Sequence, residues 1–452
     1  MFLLLAALGA MSGCARYNAL PLSPAGGART VAQLTAPAPG ATLPTLPKHV
    51  FDPSDGLDAT EVAMLVVANS PALKTKRDAM GVARAQAFAA GLLPDPQIGL
   101  SGDFPAPSGP GLTRGYSFGL SEDLGALLTR SSRVAAARSQ AGQVRLELLW
   151  DEWQAVAQAR LLFDEVLNLR AQAHRLEDER AALAPVGQYV RQALDAGNLT
   201  YDVASAGLNA ESDLMQRQAL NAVALHRAAS DLRGLLGLDA GAALPLAGAA
   251  YHPEPTDAQV AEALADLPRR RPDLLALQAG YRAQEATLRG AILAQFPSLV
   301  LGFNHARDTG GVNTNGFTLD FSLPLFDRNR GNIAIATATR QQLRDEYAAR
   351  LVATRNDLQR LREDLRTLDA KRKALATHAD TLDQARRAAE RAWQAGLIDW
   401  PTYLAIRSSA LGTDLDLLDT QQEQARQSIA LQALLGSTDL ASAPPATQAT
   451  TP

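Results

Sequence analysis

Hydrophobic positions recur along this chain in two rhythms. From about Leu127 to Leu194 apolar residues return every seven positions, as in Leu169, Leu176, Leu183 and Val190. The spacing reappears in Leu351, Leu358 and Leu365, with Thr354, Leu361, Leu368, Leu375 and Leu382 as a second series. Beyond residue 400 it continues in Leu404, Leu411 and Leu418, flanked by Leu415 and Ile429. A sustained repeat of 3.5 residues predicts helices that supercoil left-handedly against neighbours. The positions between them (Arg360, Arg362, Glu363, Asp364, Arg366) suit a solvated outer face. The second rhythm is alternation by two. Ile98, Leu100 and Phe104 alternate with polar or small residues, as do Tyr116, Phe118 and Leu120, then Leu299, Leu301 and Phe303, then Phe317, Leu319, Phe321 and Leu323. Four strands are predicted, at about 97–104, 115–122, 298–305 and 316–323, each with one apolar, aromatic-bearing face.

Punctuation agrees with this reading. Residues 111–184, 186–244, 325–400 and 402–443 contain no proline, as long helices require. Gly197 and Gly396 suit the left-handed position that ends a helix, and Thr200 and Asp399 stand three residues later as N-caps. Each long helix is therefore expected to fold back as an αα-hairpin. Pro185 lies inside the first of them and predicts a local kink.

The two halves repeat one another. Asn69-Ser70-Pro71-Ala72-Leu73 corresponds to Arg270-Arg271-Pro272-Asp273-Leu274 and Gly115 to Gly316, both 201 positions on; Ala196-Gly197 corresponds to Ala395-Gly396 and Leu235-Leu236-Gly237 to Leu434-Leu435-Gly436, both 199 on. Such ordered matches indicate a tandem duplication. The expected organisation is a signal peptide (1–13), an N-terminal tether (14–56), a first repeat (57–237) with a helical hairpin at about 126–237, a linker (238–268), a second repeat (269–437) with a hairpin at about 331–436, and a tail (438–452). The fold class is mainly α with a small β part.

Apolar strand faces fit either the core of a soluble sandwich or the outside of a membrane barrel. Four strands cannot close a transmembrane barrel, which needs eight or more, so the barrel reading requires several copies; three would supply twelve. No apolar run reaches the roughly 18 residues of a spanning helix. Lys+Arg 43 against Asp+Glu 47 leaves no basic excess, which argues against nucleic acid as a partner. The six histidines show no i, i+4 pair, and no nucleophile, phosphate-loop or dinucleotide motif occurs. No catalytic residue, metal site or cofactor is expected. The one cysteine, Cys14, follows the short apolar stretch Phe2–Met11 and the small residues Ser12 and Gly13. That arrangement resembles a bacterial lipobox, which makes Cys14 the expected lipidation site. Seven prolines between residues 17 and 56 then read as an extended tether.

With these residues the chain resembles the TolC-like outer-membrane efflux family, in particular its lipoprotein members that serve drug or heavy-metal pumps. The resemblance rests on Asn69-Ser70-Pro71-Ala72-Leu73, Arg271-Pro272-Asp273-Leu274, the stretch from Phe321 to Asp327 followed by Gly331, and the two tips around Gly197 and Gly396. It covers about residues 57–437. It implies a homotrimer with a twelve-stranded barrel in the outer membrane and a helical tunnel through the periplasm, lipid-anchored and passively conducting. Partners would be a periplasmic adaptor protein, an inner-membrane pump and outer-membrane lipid. Adaptor contact is carried onto Arg191, Leu194, Gly197, Asn198, Arg391, Gly396 and Leu397. Gate candidates, expected to converge on the threefold axis, are Asp202, Asp399, Tyr403 and Arg407. The lipid-facing set is Ile98, Leu100, Phe104, Tyr116, Phe118, Leu120, Leu301, Phe303, Phe317, Leu319 and Phe321. The alternative reading is a periplasmic adaptor lipoprotein, which has one hairpin flanked by β-rich domains. The exported substrate is not legible.

Overall fold

The computed structural model describes residues 17–22, 28–36, 49–106, 109–248 and 255–435, without the side chains of Asp202 and Val203. Cys14, the expected signal peptide and the expected C-terminal tail lie outside the described residues. Two matching series of elements follow one another. The first is α1 (Ala59–Asn69), α2 (Pro71–Gly91), β1 (Gln97–Asp103), β2 (Gly115–Asp123), α3 (Leu124–Asp195) and α4 (Tyr201–Leu236). The second is α5 (Asp257–Arg270), α6 (Pro272–Leu293), β3 (Leu299–Arg307), β4 (Asn313–Phe321), α7 (Arg330–Gln394) and α8 (Trp400–Leu435).

The segment 238–268, expected as a linker, holds most of α5. Its counterpart α1 was likewise not announced by periodicity. Both helices open on a capping box, in which a side chain and a backbone N–H satisfy each other's partners. Asp58 accepts from the N–H groups of Thr60 and Glu61 while Glu61 accepts from that of Asp58; Thr256 and Gln259 repeat the arrangement. These short helices plug the middle of the long ones. Val62–Val67 of α1 pack with Phe163 of α3 and Leu232 and Leu236 of α4. Val260 and Ala263 of α5 pack with Leu358, Leu361 and Leu365 of α7 and Leu431 and Leu435 of α8.

At 1.5 Å per residue, the 72 residues of α3 and the 65 of α7 span roughly 108 and 98 Å. The predicted seams point inward: Leu176, Val190, Thr354, Leu358, Leu361 and Leu365 are buried. Helix α3 runs through Pro185 unbroken. Proline leaves only one carbonyl of the preceding turn without its donor, and Val186 and Val190 hold the flanking turns in the core.

At one end of the helices the strands form one antiparallel sheet in the order β1-β2-β3-β4. β4 begins three residues before the expected 316, because Asn313, Thr314 and Asn315 pair with Arg307, Ala306 and His305. Registry places the apolar sets on one face. Leu100 lies opposite Phe118, Leu120 opposite Phe303, and Phe303 opposite Phe317; opposed residues of an antiparallel pair project to the same side.

At the other end, the two hairpin turns share one geometry. The Gly197 N–H donates to Leu194 and that of Asn198 to Ala193; the N–H groups of Gly396 and Leu397 donate to Trp393 and Ala392. Both glycines are left-handed, with φ of 73° and 69°. This is the Schellman pattern that closes a helix C-terminus. Thr200 occupies its N-cap position without a side-chain cap bond, whereas Asp399 accepts from the Thr402 N–H at 3.0 Å. No atom lies within 4 Å of a Cβ built on either glycine, so substitution there tests backbone strain alone. Gly197→Ala and Gly396→Ala should each cost about 1 kcal/mol and Gly197→Asn less, read as shifts in thermal unfolding.

Candidate functional site

Two surfaces stand out: the exposed apolar face of the sheet, and the region between the hairpins near their turns. On the sheet, Ile98, Leu100, Phe104, Tyr116, Phe118, Leu120, Leu301, Phe303, Phe317, Leu319 and Phe321 are all exposed, and Phe317 reaches 83%. Phe104 lies just past β1. The opposite face carries Ser101, Ser117, Gly119, Asn304, Thr318 and Asp320, with Ser101 and Ser117 hydroxyls 2.8 Å apart. Toward the loops joining β1 to β2 and β3 to β4, the apolar face becomes polar and aromatic. Tyr116 and His305 rings lie 6.1 Å apart there, and His305 contacts Asn315 at 2.7 Å. Both outer strands, β1 and β4, have a free edge among the described residues.

Near the turns, α8 lies against α3 and α7 through a buried polar cluster. Arg407 is 4% exposed and forks onto Glu179 of α3, Nε to Oε1 at 3.0 Å and Nη2 to Oε2 at 2.7 Å. Its Nη1 donates to Glu390 of α7 and to the Tyr403 hydroxyl, both at 3.2 Å, and Tyr403 donates to Glu390. Burial pulls the Arg407 pKa down, but the hydrogen bonds and charge of Glu179 outweigh it and hold the group above the usual arginine range. Burial pushes the Tyr403 phenol up, helped by its hydrogen bond to Glu390. Arg407 therefore keeps its charge at neutral pH, and the cluster serves as a clamp.

Around it packs an aromatic group. Trp393 stacks on Tyr403 at 5.7 Å and meets Trp400 at 6.2 Å. Trp400 enters a notch on α4 at Gly207, where a Cβ would stand 2.5 Å from the indole. A cavity of about 400 Å³ lies alongside, lined by Leu183, Val190, Leu214, Met215 and Trp400 and rimmed by Arg180 and by Arg191, which pairs with Glu211 at 3.0 Å.

The structure thus corrects the placing of Tyr403 and Arg407. Expected to converge on an axis, they are buried within the chain, because carboxylates from two neighbouring helices meet the guanidinium there. Asp399 is exposed and caps α8, and its carboxyl lies below the usual range because the Thr402 side chain and N–H donate to it. The Asp202 side chain lies outside the described residues. At the turns, Arg191, Gly197, Asn198, Arg391, Gly396 and Leu397 are exposed, whereas Leu194 is half-buried against the aromatic group.

Another buried arginine shows what the motif Arg271-Pro272-Asp273 does. Arg271 forks onto Asp273, donates to Thr354 Oγ1 at 3.2 Å and lies 4.9 Å over the Trp150 ring, which fixes the start of α6 between α3 and α7. Sequence reasoning also missed one grouping of possible metal ligands among the described residues, His49, Asp58 and Glu61. Its acceptors are already used: both Glu61 oxygens take backbone N–H groups, from Asp52 and Asp58, and Asp58 caps α1. The set is occupied by the capping box of α1.

The chain has relatives among known proteins. Residues 263–437 match the outer membrane efflux protein family. Over that stretch the chain is similar to outer membrane efflux proteins. Protein CyaE of Bordetella pertussis is 27% identical over 410 residues, 80% of this chain and 81% of that protein. Outer membrane protein OprJ of Pseudomonas aeruginosa is 27% identical over 164 residues, 34% of each. The solved structure of CusC, described in terms of transmembrane channel formation, superposes with a TM-score of 0.70 at 19% identity, over 89% of this chain and 98% of its own. Other solved structures of similar fold are the outer-membrane channel OprN, with a TM-score of 0.69 at 14% identity, and the CmeC outer membrane channel of Campylobacter jejuni, likewise 0.69 at 14%.

Removing one member of the clamp strands a buried charge, which costs about 3–5 kcal/mol. Arg407→Ala should lower the thermal midpoint sharply. The paired apolar replacement Arg407→Met with Glu179→Leu should recover most of the loss, since desolvation offsets much of the pair's attraction.

Proposed function

We propose that this chain is the exit duct of a tripartite efflux pump: a homotrimer, anchored through Cys14, that conducts small molecules or ions passively from a periplasmic adaptor and inner-membrane pump across the outer membrane. The observation that carries the reading is the sheet, with an exposed apolar face, a polar opposite face and two free edges, at one end of helices about 100 Å long. In water such a face costs free energy; in a bilayer it is the outside of a barrel whose polar side lines a channel. Strands of 7 and 9 residues approach the ~9–11 that a tilted strand needs to cross.

The duplication supports closure by further copies. β2 of the first repeat pairs with β3 of the second, so the matching edges β4 and β1 are built to repeat that join from copy to copy. The other ends, with Gly197, Asn198, Gly396 and Leu397 exposed, are the surfaces offered to an adaptor, and Asp202 and Asp399 supply acidic charge at the mouth. A periplasmic adaptor is the poorer reading: the chain has two hairpins and a sheet whose apolar face meets no core.

Purified in detergent from outer membranes, the protein should scatter light as a trimer; a monomer from the soluble fraction would refute the duct. Leu319→Lys, on the apolar face, should cost about 2–4 kcal/mol of membrane stability. Thr318→Lys, one residue away on the polar face, should assemble normally, and heat-modifiable trimer on gels separates the two. Asp399→Asn keeps an N-cap while removing charge, so it should raise single-channel conductance with little change in stability.

A further inference from the structure

At the loops, the apolar face of the sheet ends in two arginines that meet no carboxylate. Tyr116 lies opposite Arg307, on the side that also carries Phe118 and Phe303. Asp103 lies opposite Gly115, so one step further the same register sets Arg114 across from Phe104, whose ring centre is 5.5 Å from the guanidinium carbon. Arg114 and Arg307 are thus diagonal neighbours on adjacent strands, about 7–8 Å apart at their origins and able to reach one small group together. The loops behind them are pinned to each other, the Thr113 N–H donating to the Thr309 carbonyl at 2.8 Å. Neither arginine forms an ion pair among the described residues. Asp103 belongs to the polar face, Asp308 turns its carboxylate onto the Val312 N–H at 3.0 Å, and Glu122, on the apolar face, stands opposite Leu301 toward the helices. Arg307 Nε is shut off from solvent and has no hydrogen-bond partner. Other enclosed arginines have one: Arg130 uses the Gly91 carbonyl, Arg271 uses Asp273 and Arg407 uses Glu179.

We propose that Arg114 and Arg307 bind the phosphate of a lipid headgroup at the loop end of the sheet, with that lipid's acyl chains lying along Phe118 and Phe303. The assignment rests on the membrane barrel proposed above. From Leu299 to Arg307 the strand rises about 27 Å at ~3.4 Å per residue, which is about 20 Å of membrane depth at a tilt near 40°. Beyond Leu299 the exposed Phe296, Leu323 and Leu325 prolong the apolar surface toward the helices. The arginines therefore stand at the far boundary of an apolar band of about 25 Å, where headgroups begin. A guanidinium meets phosphate oxygens through two parallel N–H bonds, and two guanidinium groups from adjacent strands clasp one phosphate from both sides. The Phe104 ring holds Arg114 at this rim through its face. One row toward the helices, His305 and Asn315, 2.7 Å apart, keep the rim polar before the aromatic rows begin. Unpaired cations beside acyl chains are costly, and a lipid phosphate supplies the charge that the chain itself does not.

The test uses the full-length protein purified in mild detergent, with native mass spectrometry counting bound lipid after addition of lipid A that carries both of its phosphates. This lipid should remain bound, and the same lipid stripped of phosphate should not. Arg114→Gln with Arg307→Gln should weaken binding of the phosphorylated lipid by about tenfold or more, the worth of a charge-assisted hydrogen bond. Arg114→Lys with Arg307→Lys keeps the charge without the planar fork and should fall between the parent and the glutamine pair. Arg344→Gln, on α7 and away from the sheet, should bind as the parent does. Should the glutamine pair fail to assemble, the lysine pair and the stripped lipid decide the matter on an intact protein. Inorganic phosphate at equal concentration should not displace the lipid, because it has no chains to lay on the apolar face. The assignment is overturned if an intact trimer binds both forms of the lipid equally, if the glutamine pair binds as tightly as the parent, or if inorganic phosphate alone displaces the lipid, which would make this a site for free anions. A monomer from the soluble fraction would instead overturn the barrel.

Discussion

The pairing of β2 with β3, from Tyr116 opposite Arg307 to Asp123 opposite Val300, is the constraint on which the architecture depends. It is the one join of the sheet made between repeats, and it sets them side by side with the same hand. The first strand pair leads directly into a long helix, Asp123 at the end of β2 capping α3, and the second reaches α7 through residues 322–329. Once the strands are in register the helices have no freedom to choose partners. α8 must lie on α3, and the apolar face of the sheet must look away from them. A one-residue slip at this join would turn every aromatic of two strands to the other side.

Much of this was legible because it rests on periodicity. The seams at Leu176, Leu358 and Leu365 are buried as the sevenfold spacing requires, and the strand sets from Ile98 to Phe321 share one face because alternation by two survives any small error in strand ends. The turns were legible because only glycine adopts the left-handed conformation of Gly197 and Gly396 without strain.

Contacts between residues far apart in sequence were not legible. Arg407 and Glu179 are separated by 228 positions, and an arginine on a helix reads as solvated until the fold shows which carboxylate lies opposite. Position also misled: Tyr403 and Arg407 stand early in a returning helix, where exposure to a lumen was expected, yet α3 and α7 cover them. The helices α1 and α5 were hidden for another reason. α1 is short and buried on most sides, so it lacks a polar stripe; α5 turns only Val260, Ala263 and Leu267 inward over a span short enough to read as linker, and Asp58 with Glu61 and Thr256 with Gln259 mark where the two begin.

Those two short helices have a mechanical consequence. Packed at the level of Phe163 and Leu361, they fill the helical assembly at one height and act as a fulcrum. From Phe163 to the turn at Gly197 the chain continues for about 50 Å at 1.5 Å per residue, a lever stiffened along its length by the inward leucine seam. A tilt of about 5° at the fulcrum displaces the far end by about 4 Å over that length. In the proposed duct an aperture at the tips could therefore widen by several ångströms while the side chains around α1 and α5 stay in their rotamers, with no movement required of the strands above the fulcrum.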